Sequence, residues 1–178
     1  IASGDWLVIM TAGDGLLPNA EKIIIDSIAD HKEIFIFSQQ VRDSHCRPVY
    51  SFIPTDTSVW PTQSVVINRS VYKSIGGYNT DFVSISDQLF FWQARQSFDF
   101  EIISNEVSYF CLGGLSGGFS RNLLSENYQL HRYCGQNVIF ASLLVFRSSL
   151  RQVIEKMIGE SRMITLKRYF FENYKKLK

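Results

Sequence analysis

The chain has 178 residues, of which 46% are hydrophobic and 20% charged, so it suits a folded domain with a buried core and not a disordered or collagen-like protein. Its net charge of +1 argues against a uniformly basic nucleic-acid-binding surface. The charge is unevenly distributed: residues 1–146 carry 9 Lys and Arg against 14 Asp and Glu, and residues 147–178 carry 9 against 3. This asymmetry predicts an acidic body and a basic tail with separate roles.

The first third of the chain has the pattern of an α/β protein. Residues 6–11 are a continuous apolar run typical of a buried strand, and a glycine-flanked loop follows at residues 12–15. Asn19 is placed to cap a helix that extends to about His31. Residues 33–38 alternate as a second strand, and residues 39–61 are polar and turn-rich, which predicts a surface excursion.

The remaining elements are shorter strands and helices. A strand at residues 63–68 precedes a helix that should stop at Gly76. The later segments are a helix at 87–96, strands at 100–103 and 107–112, a mobile loop at 115–121, and helices at 124–134, 137–146 and 150–178. We therefore predict a mixed sheet flanked by helices, with amphipathic helices at the C-terminus.

Three cysteines, Cys46, Cys111 and Cys134, have no CxxC spacing. The odd number favours reduced thiols in a cytosolic setting. The histidines show no paired spacing for a metal, and the chain contains no Walker A, GxGxxG or GxSxG motif.

Two carboxylates each have a chemical and a purely structural interpretation. Asp14 lies in the loop after the first strand, where ligands collect in open α/β sheets, although an Asp between glycines is also an ordinary turn former. Asp87 begins a helix after a loop, where an acidic residue is also an ordinary cap. The residues alone leave both alternatives open.

The order of four segments resembles the C-terminal part of an inverting family 2 glycosyltransferase with the GT-A fold. These segments are residues 2–14, 61–67, 76–90 and 113–126. Within them, Thr11 and Gly13 replace positions that are usually acidic or amide residues, so that Asp14 alone remains of that acidic motif. The resemblance covers residues 2–135, and it implies that the family's N-terminal nucleotide-binding half is missing from this sequence.

The resemblance implies a specific role for each matched residue. Asp14 would bind Mg²⁺ or Mn²⁺, which neutralises a departing diphosphate, and Asp87 would be the general base. Gln63 and Trp60 would line the acceptor or sugar pocket, with an edge-strand polar residue as the alternative for Gln63. Trp92, a second candidate for stacking on sugar, is better explained as a core residue. Gly113, Gly114 and Ser116 would form a loop over the diphosphate that Glu126 supports, with a surface turn and a solvated helix carboxylate as the respective alternatives.

The expected protein is thus a metal-dependent hexosyltransferase that uses a nucleotide sugar and a saccharide or lipid-linked acceptor. We divide it into a partial GT-A domain at residues 1–135 and a basic helical extension at residues 136–178. We expect little activity from this sequence by itself.

The basic tail suits contact with an anionic membrane surface, or packing on the domain or on a second copy in a homodimer. No nucleic-acid partner is expected. The expected location is the cytoplasm, at the inner face of the plasma membrane. The alternative to an enzyme is a non-catalytic module that binds a membrane or a partner through its basic helices.

Overall fold

The computed structural model describes residues 2–28, 32–56, 59–112 and 121–158. These residues form two compact units, residues 1–114 and residues 115–178, which are described separately. The sequence analysis placed the boundary at residue 135.

The first unit is a mixed six-stranded sheet with helices on its faces, which confirms the α/β class. Its strands are β1 (Trp6–Val8), β2 (Gly15–Leu16), β3 (Ile34–Arg42), β4 (Pro48–Phe52), β5 (Val65–Asn68) and β6 (Phe100–Cys111). Its helices are α1 (Ala20–Ser27), α2 (Arg69–Ile75) and α3 (Ser86–Ser97), and a 3₁₀ turn, Thr62–Ser64, precedes β5. The spatial order is β1-β5-β3-β6-β2, with β4 paired to β3. The pair β3 and β6 is parallel, and the other pairs are antiparallel.

The core occupies both faces of β3. Ile34 and Ile36 point to one face, where they pack with β5 and with residues of α2 and α3. Phe35 and Phe37 point to the other face, which α1 covers through Ala20. Because side chains alternate along a strand, burial on both faces requires the continuous apolar run found here.

The ends of α1 and α2 can be compared with the capping residues that the sequence predicts. α2 begins where the side chain of Asn68 accepts a hydrogen bond from the Ser70 amide, and it ends at Gly76 with a φ of 93°. This confirms the predicted stop, because glycine adopts this left-handed conformation at low cost. Asn19 precedes α1 as predicted, but its φ is 67° and its side chain makes no cap hydrogen bond.

Several strand predictions were wrong in length or environment. β1 ends at Val8 and is a half-buried edge strand antiparallel to β5, where the sequence predicted a buried strand over residues 6–11. β3 continues to Arg42 and forms a hairpin with β4, where the sequence predicted an excursion, because polar residues such as Gln39 have hydrogen-bonding partners in the interior. β6 is one strand with irregular register instead of two.

Cys46 and Cys111 form a disulfide bond, with a Cα–Cα distance of 5.5 Å. The sequence predicted that all three cysteines are reduced, and this was wrong for Cys46 and Cys111. Cys134 is free. The spacing gave no indication of the pair because 65 positions separate its members, and the β3–β4 hairpin brings them together.

The described residues of the second unit form α4 (Arg121–Tyr133) and α5 (Val138–Ile158). α5 is continuous where two helices had been predicted, since residues 147–149 contain neither glycine nor proline to end it. In the described parts of the chain, every helix is too short or too polar to span a bilayer.

Candidate functional site: two carboxylates bound by one turn

Asp14 accepts hydrogen bonds from three donors, one from its own turn and two from distant parts of the chain. Its Oδ2 accepts from the hydroxyl of Thr11 and from Gln63 Nε2, the latter at 2.6 Å. Its Oδ1 accepts from the backbone amide of Cys111 at 3.0 Å.

The local chain geometry explains the position of Asp14. Gly13 has a φ of 94°, and the Asp14 amide donates to the Thr11 carbonyl at 3.2 Å, which makes a tight turn after β1. Immediately afterwards, Gly15 pairs with Tyr109 of β6. This pairing brings Asp14 to the carboxyl end of β6, beside Cys111.

Asp87 lies in the first turn of α3 and is also held through both oxygens. Its Oδ2 accepts from the Thr62 hydroxyl at 2.5 Å, and its Oδ1 accepts from the amide of Gln88 at 2.8 Å. Burial raises the pKa of the nearby Tyr78 hydroxyl, and the negative charge of Asp87 raises it further. The Tyr78 phenol therefore stays neutral to a higher pH than an exposed tyrosine does.

The 3₁₀ turn connects the two carboxylates. Thr62 binds Asp87 and its neighbour Gln63 binds Asp14, so consecutive residues hold two side chains that are 73 positions apart in sequence. The hypothesis that these carboxylates share a site needs such a proximity. The hydrogen bonds place one carboxylate against Thr62 and the other against Gln63.

Gln63 is buried, with 6% of its surface exposed, so it is not the strand-edge residue of the alternative interpretation. Its Nε2 also donates to Thr11 Oγ1 at 2.7 Å, and its Oε1 accepts from Gln39 Nε2 at 3.0 Å. Gln39 was missed by the sequence analysis because it falls in a segment interpreted as a surface loop. Residues 38–40 are all polar, so no alternation of apolar and polar residues marked this part of the strand.

Trp60 lies in the core, which contradicts its predicted role in stacking on sugar. Its exposed fraction is 2%, and its ring packs against Phe91 at 5.6 Å and Phe100 at 5.0 Å between centroids. The Arg95 guanidinium lies 4.7 Å from the ring centroid. A sugar would need an open ring face, and these neighbours cover it. Trp92, which was interpreted as core, is half-buried.

The other predicted site residues are not among the described residues of the first unit. Glu126 lies on α4 of the second unit and is 7% exposed, so it is not a solvated helix carboxylate. Gly113, Gly114 and Ser116 lie outside the described residues.

A groove of about 460 Å³ lies at the opposite end of the sheet from Asp14. Its lining includes Glu33, which precedes β3, and Phe100, which begins β6. Arg95, near the end of α3, also lines it. Cys111 marks the other end of β6. The groove therefore does not include the two carboxylates.

The hydrogen bonds to Asp14 leave its carboxylate able to form one bond to a divalent cation. No group of three or more His, Cys, Asp or Glu residues is arranged to hold a metal within the described parts of the chain. A carboxylate has about four lone-pair directions, and three are occupied here. One direction on Oδ1 remains, and Mg²⁺ in nucleotide-dependent enzymes often binds one or two carboxylates together with substrate phosphates. Asp14 would therefore contribute one bond, through Oδ1.

Comparisons with known proteins do not identify a family. No protein-family model matches the sequence, and no curated protein matches it significantly.

Proposed function

We propose that this chain is the metal- and acceptor-binding part of an inverting glycosyltransferase of the GT-A type. It would transfer a hexose from a nucleotide sugar to a saccharide or lipid-linked acceptor. The observation that carries the proposal is the pair of carboxylates, Asp14 and Asp87, held by Gln63 and Thr62 of a single turn.

In this proposal Asp87 is the general base. The acceptor hydroxyl attacks the anomeric carbon opposite the diphosphate, its proton passes to the Asp87 carboxylate, and the bond from carbon to the diphosphate oxygen breaks. The two hydrogen bonds from Thr62 and Gln88 orient the carboxylate and leave lone pairs for the hydroxyl proton. Tyr78, a neutral phenol at physiological pH, adds no competing negative charge.

Asp14 would hold Mg²⁺ or Mn²⁺ through Oδ1. When bound, the cation supplies Lewis-acid stabilisation of the leaving diphosphate. Thr11, Gln63 and Cys111 fix the carboxylate in place, which reduces the reorganisation needed during the reaction.

The nucleotide-binding half that this family requires would join the sheet at β1. Among the described strands only β5 pairs with β1, so the other edge of β1 offers backbone groups for a further strand. We expect transfer activity only when that half is present.

The test is release of nucleoside diphosphate from a nucleotide sugar by the native full-length protein that contains this sequence, with Mn²⁺ and acceptor present. Asp87→Asn and Asp14→Asn should each reduce turnover by about 10²- to 10⁴-fold. Asp26→Asn, which removes an exposed carboxylate on α1, should retain the wild-type rate. Unchanged turnover in Asp87→Asn would show that the base is another group.

A second candidate function, binding to an anionic membrane surface, is favoured by α5. Six exposed apolar residues recur along this helix at alternating spacings of four and three: Ile139, Leu143, Phe146, Leu150, Val153 and Met157. At 100° per residue they form one continuous strip.

Positive charge accompanies this strip in the sequence. Residues 147–178 carry six more basic than acidic residues, from 9 minus 3. An apolar strip with adjacent Lys and Arg is the composition of a helix that lies in the headgroup region of anionic membranes.

Vesicle sedimentation tests this candidate. The protein should pellet with vesicles containing phosphatidylserine and much less with pure phosphatidylcholine vesicles, and Leu143→Ser with Leu150→Ser should release it. A matched control, Val138→Ser with Phe140→Ser, removes exposed apolar residues about 100° away from the strip on either side. Concentration-dependent dimerisation without lipid binding would assign the strip to a second copy of the chain instead.

A further inference from the structure

A second hydrogen-bonded chain lies behind the Asp14 site and begins at Gln39. Gln39 is 5% exposed, and its Nε2 lies 3.0 Å from Gln63 Oε1 and 3.3 Å from Ser108 Oγ. Ser108 is fully buried. A side-chain amide can be turned by 180° without changing its shape, so the direction of each hydrogen bond must follow from the partners.

The serine side of this network fixes the orientation of Gln39. Ser64 Oγ donates to the backbone carbonyl of Ser38 at 3.2 Å, and a carbonyl can only accept. Ser64 has then used its proton, so the 2.5 Å contact between Ser64 and Ser108 places the donor on Ser108. Ser108 must therefore accept from Gln39, which requires the NH₂ group of Gln39 on this side.

The carboxylate side fixes the orientation of Gln63. Gln63 Nε2 donates to Asp14 Oδ2 and to Thr11 Oγ1, and carboxylate oxygens accept hydrogen bonds, so the NH₂ group of Gln63 faces Asp14 and its Oε1 faces the interior. Gln39 Nε2 meets that buried oxygen. If Gln63 were reversed, its oxygen would oppose the Asp14 carboxylate and its NH₂ group would oppose the NH₂ group of Gln39.

We propose that Gln39 is a positioning residue for Asp14: its NH₂ group holds the Gln63 amide in the one orientation that binds the Asp14 carboxylate and leaves Oδ1 of Asp14 available. The consequence for a bound cation rests on the proposed function. The orientation itself depends only on the side chains of this chain.

The direct readout is the side-chain NH₂ signals of Gln63 in ¹⁵N-resolved NMR spectra. Gln39→Met keeps the length of the side chain and removes the donor, so the Gln63 signals should shift and exchange with solvent faster. Gln40→Met is the matched control, because Gln40 is the next residue of β3, points to the other side of the strand and accepts from Arg42. It should leave the Gln63 signals unchanged.

A second measurement, Mn²⁺ affinity in the native full-length protein, links this orientation to the site. Gln39→Met should weaken binding about 10-fold, as loss of a hydrogen-bonding partner behind a metal ligand commonly does. In a Gln63→Met background the same change should have almost no further effect, because the group through which Gln39 acts is gone. Equal effects of Gln39→Met in both backgrounds would overturn the proposal.

Asp14→Asn provides a test that does not disturb the core. It should shift the NH₂ signals of Gln63 and of Gln39, and those of Gln40 should stay in place. Unmoved Gln39 signals in Asp14→Asn, or unmoved Gln63 signals in a folded Gln39→Met protein, would overturn the proposal. If the NMR shifts occur and the wild-type protein binds no Mn²⁺, the orienting role of Gln39 stands and the proposed function fails.

Discussion

The backbone amide of Cys111 donates a 3.0 Å hydrogen bond to Asp14 Oδ1, although 97 positions separate the two residues. Cys111 is also covalently linked to Cys46 in the β3–β4 hairpin. The end of β6 that anchors the Asp14 carboxylate is therefore itself anchored by the disulfide.

We expect reduction of this disulfide to destabilise the protein. The bond joins residues 65 positions apart, and the loss of chain entropy in the unfolded state then corresponds to about 4 kcal/mol as an upper figure. Urea denaturation of Cys46→Ala with Cys111→Ala should show a loss of about 2–4 kcal/mol. Cys134→Ala, which removes the free cysteine, should change stability much less, and dithiothreitol should have little effect on the double variant. Equal stability of the oxidised and reduced wild-type proteins would contradict the prediction.

Removal of the Thr62 hydroxyl should weaken both stability and the proposed activity. The 2.5 Å hydrogen bond to Asp87 is made to a charged acceptor, and Thr62 is mostly buried. Thr62→Val should cost about 1–2 kcal/mol of unfolding free energy, measured in urea, and should lower turnover because Asp87 loses its orientation. Thr62→Ser keeps the hydroxyl and should retain most of both. Identical behaviour of the Val and Ser variants would show that the hydroxyl has no role.

A methyl group at position 15 should disturb the turn that carries Asp14. A Cβ on Gly15 would lie 2.6 Å from the hydroxyl oxygen of Tyr109, whose ring also stacks under the Arg42 guanidinium at 3.9 Å. Gly15→Ala should therefore displace the Tyr109 ring and cost about 1–3 kcal/mol, measured by thermal or urea unfolding. Gly4→Ala is the control, since its Cβ would meet its nearest atom at 3.6 Å, an ordinary contact. A fully stable Gly15→Ala protein would mean that the ring moves aside freely.

Tyr78 should titrate at higher pH than an exposed tyrosine. Burial raises its pKa, and the charge of Asp87 adds to the effect. A raised folded-state pKa means that the folded protein holds this proton more tightly than the unfolded chain, so its contribution to stability is complete below pH 10 and is lost as pH rises above that value.

NMR titration of ¹³Cζ-labelled tyrosine measures this pKa, and Tyr78→Phe assigns the signal. Asp87→Asn should lower the pKa of Tyr78 only in part, because burial is the larger cause. An ordinary tyrosine pKa for Tyr78 in the wild-type protein would contradict the prediction.

The local sequence determined those features that depend on neighbouring residues. The buried run of β3 from Ile34 to Phe37 follows from continuous apolar character, and the end of α2 follows from a glycine at Gly76. The α/β class follows in the same way from the alternation of such elements. The local sequence did not indicate a catalytic role for Asp14 or Asp87. A family resemblance implied these roles, and they remain predictions.

Only the tertiary structure decided which distant side chains meet. Gln39 is hydrophilic and precedes a turn-rich segment, yet it is buried because Gln63 and Ser108 satisfy its NH₂ group there. Trp60 is in the core because α3 and the start of β6 cover its ring. Cys46 and Cys111 have no informative spacing until the strands are paired. Burial of a polar group depends on partners far away in sequence, and sequence periodicity records only whether a residue is polar or apolar.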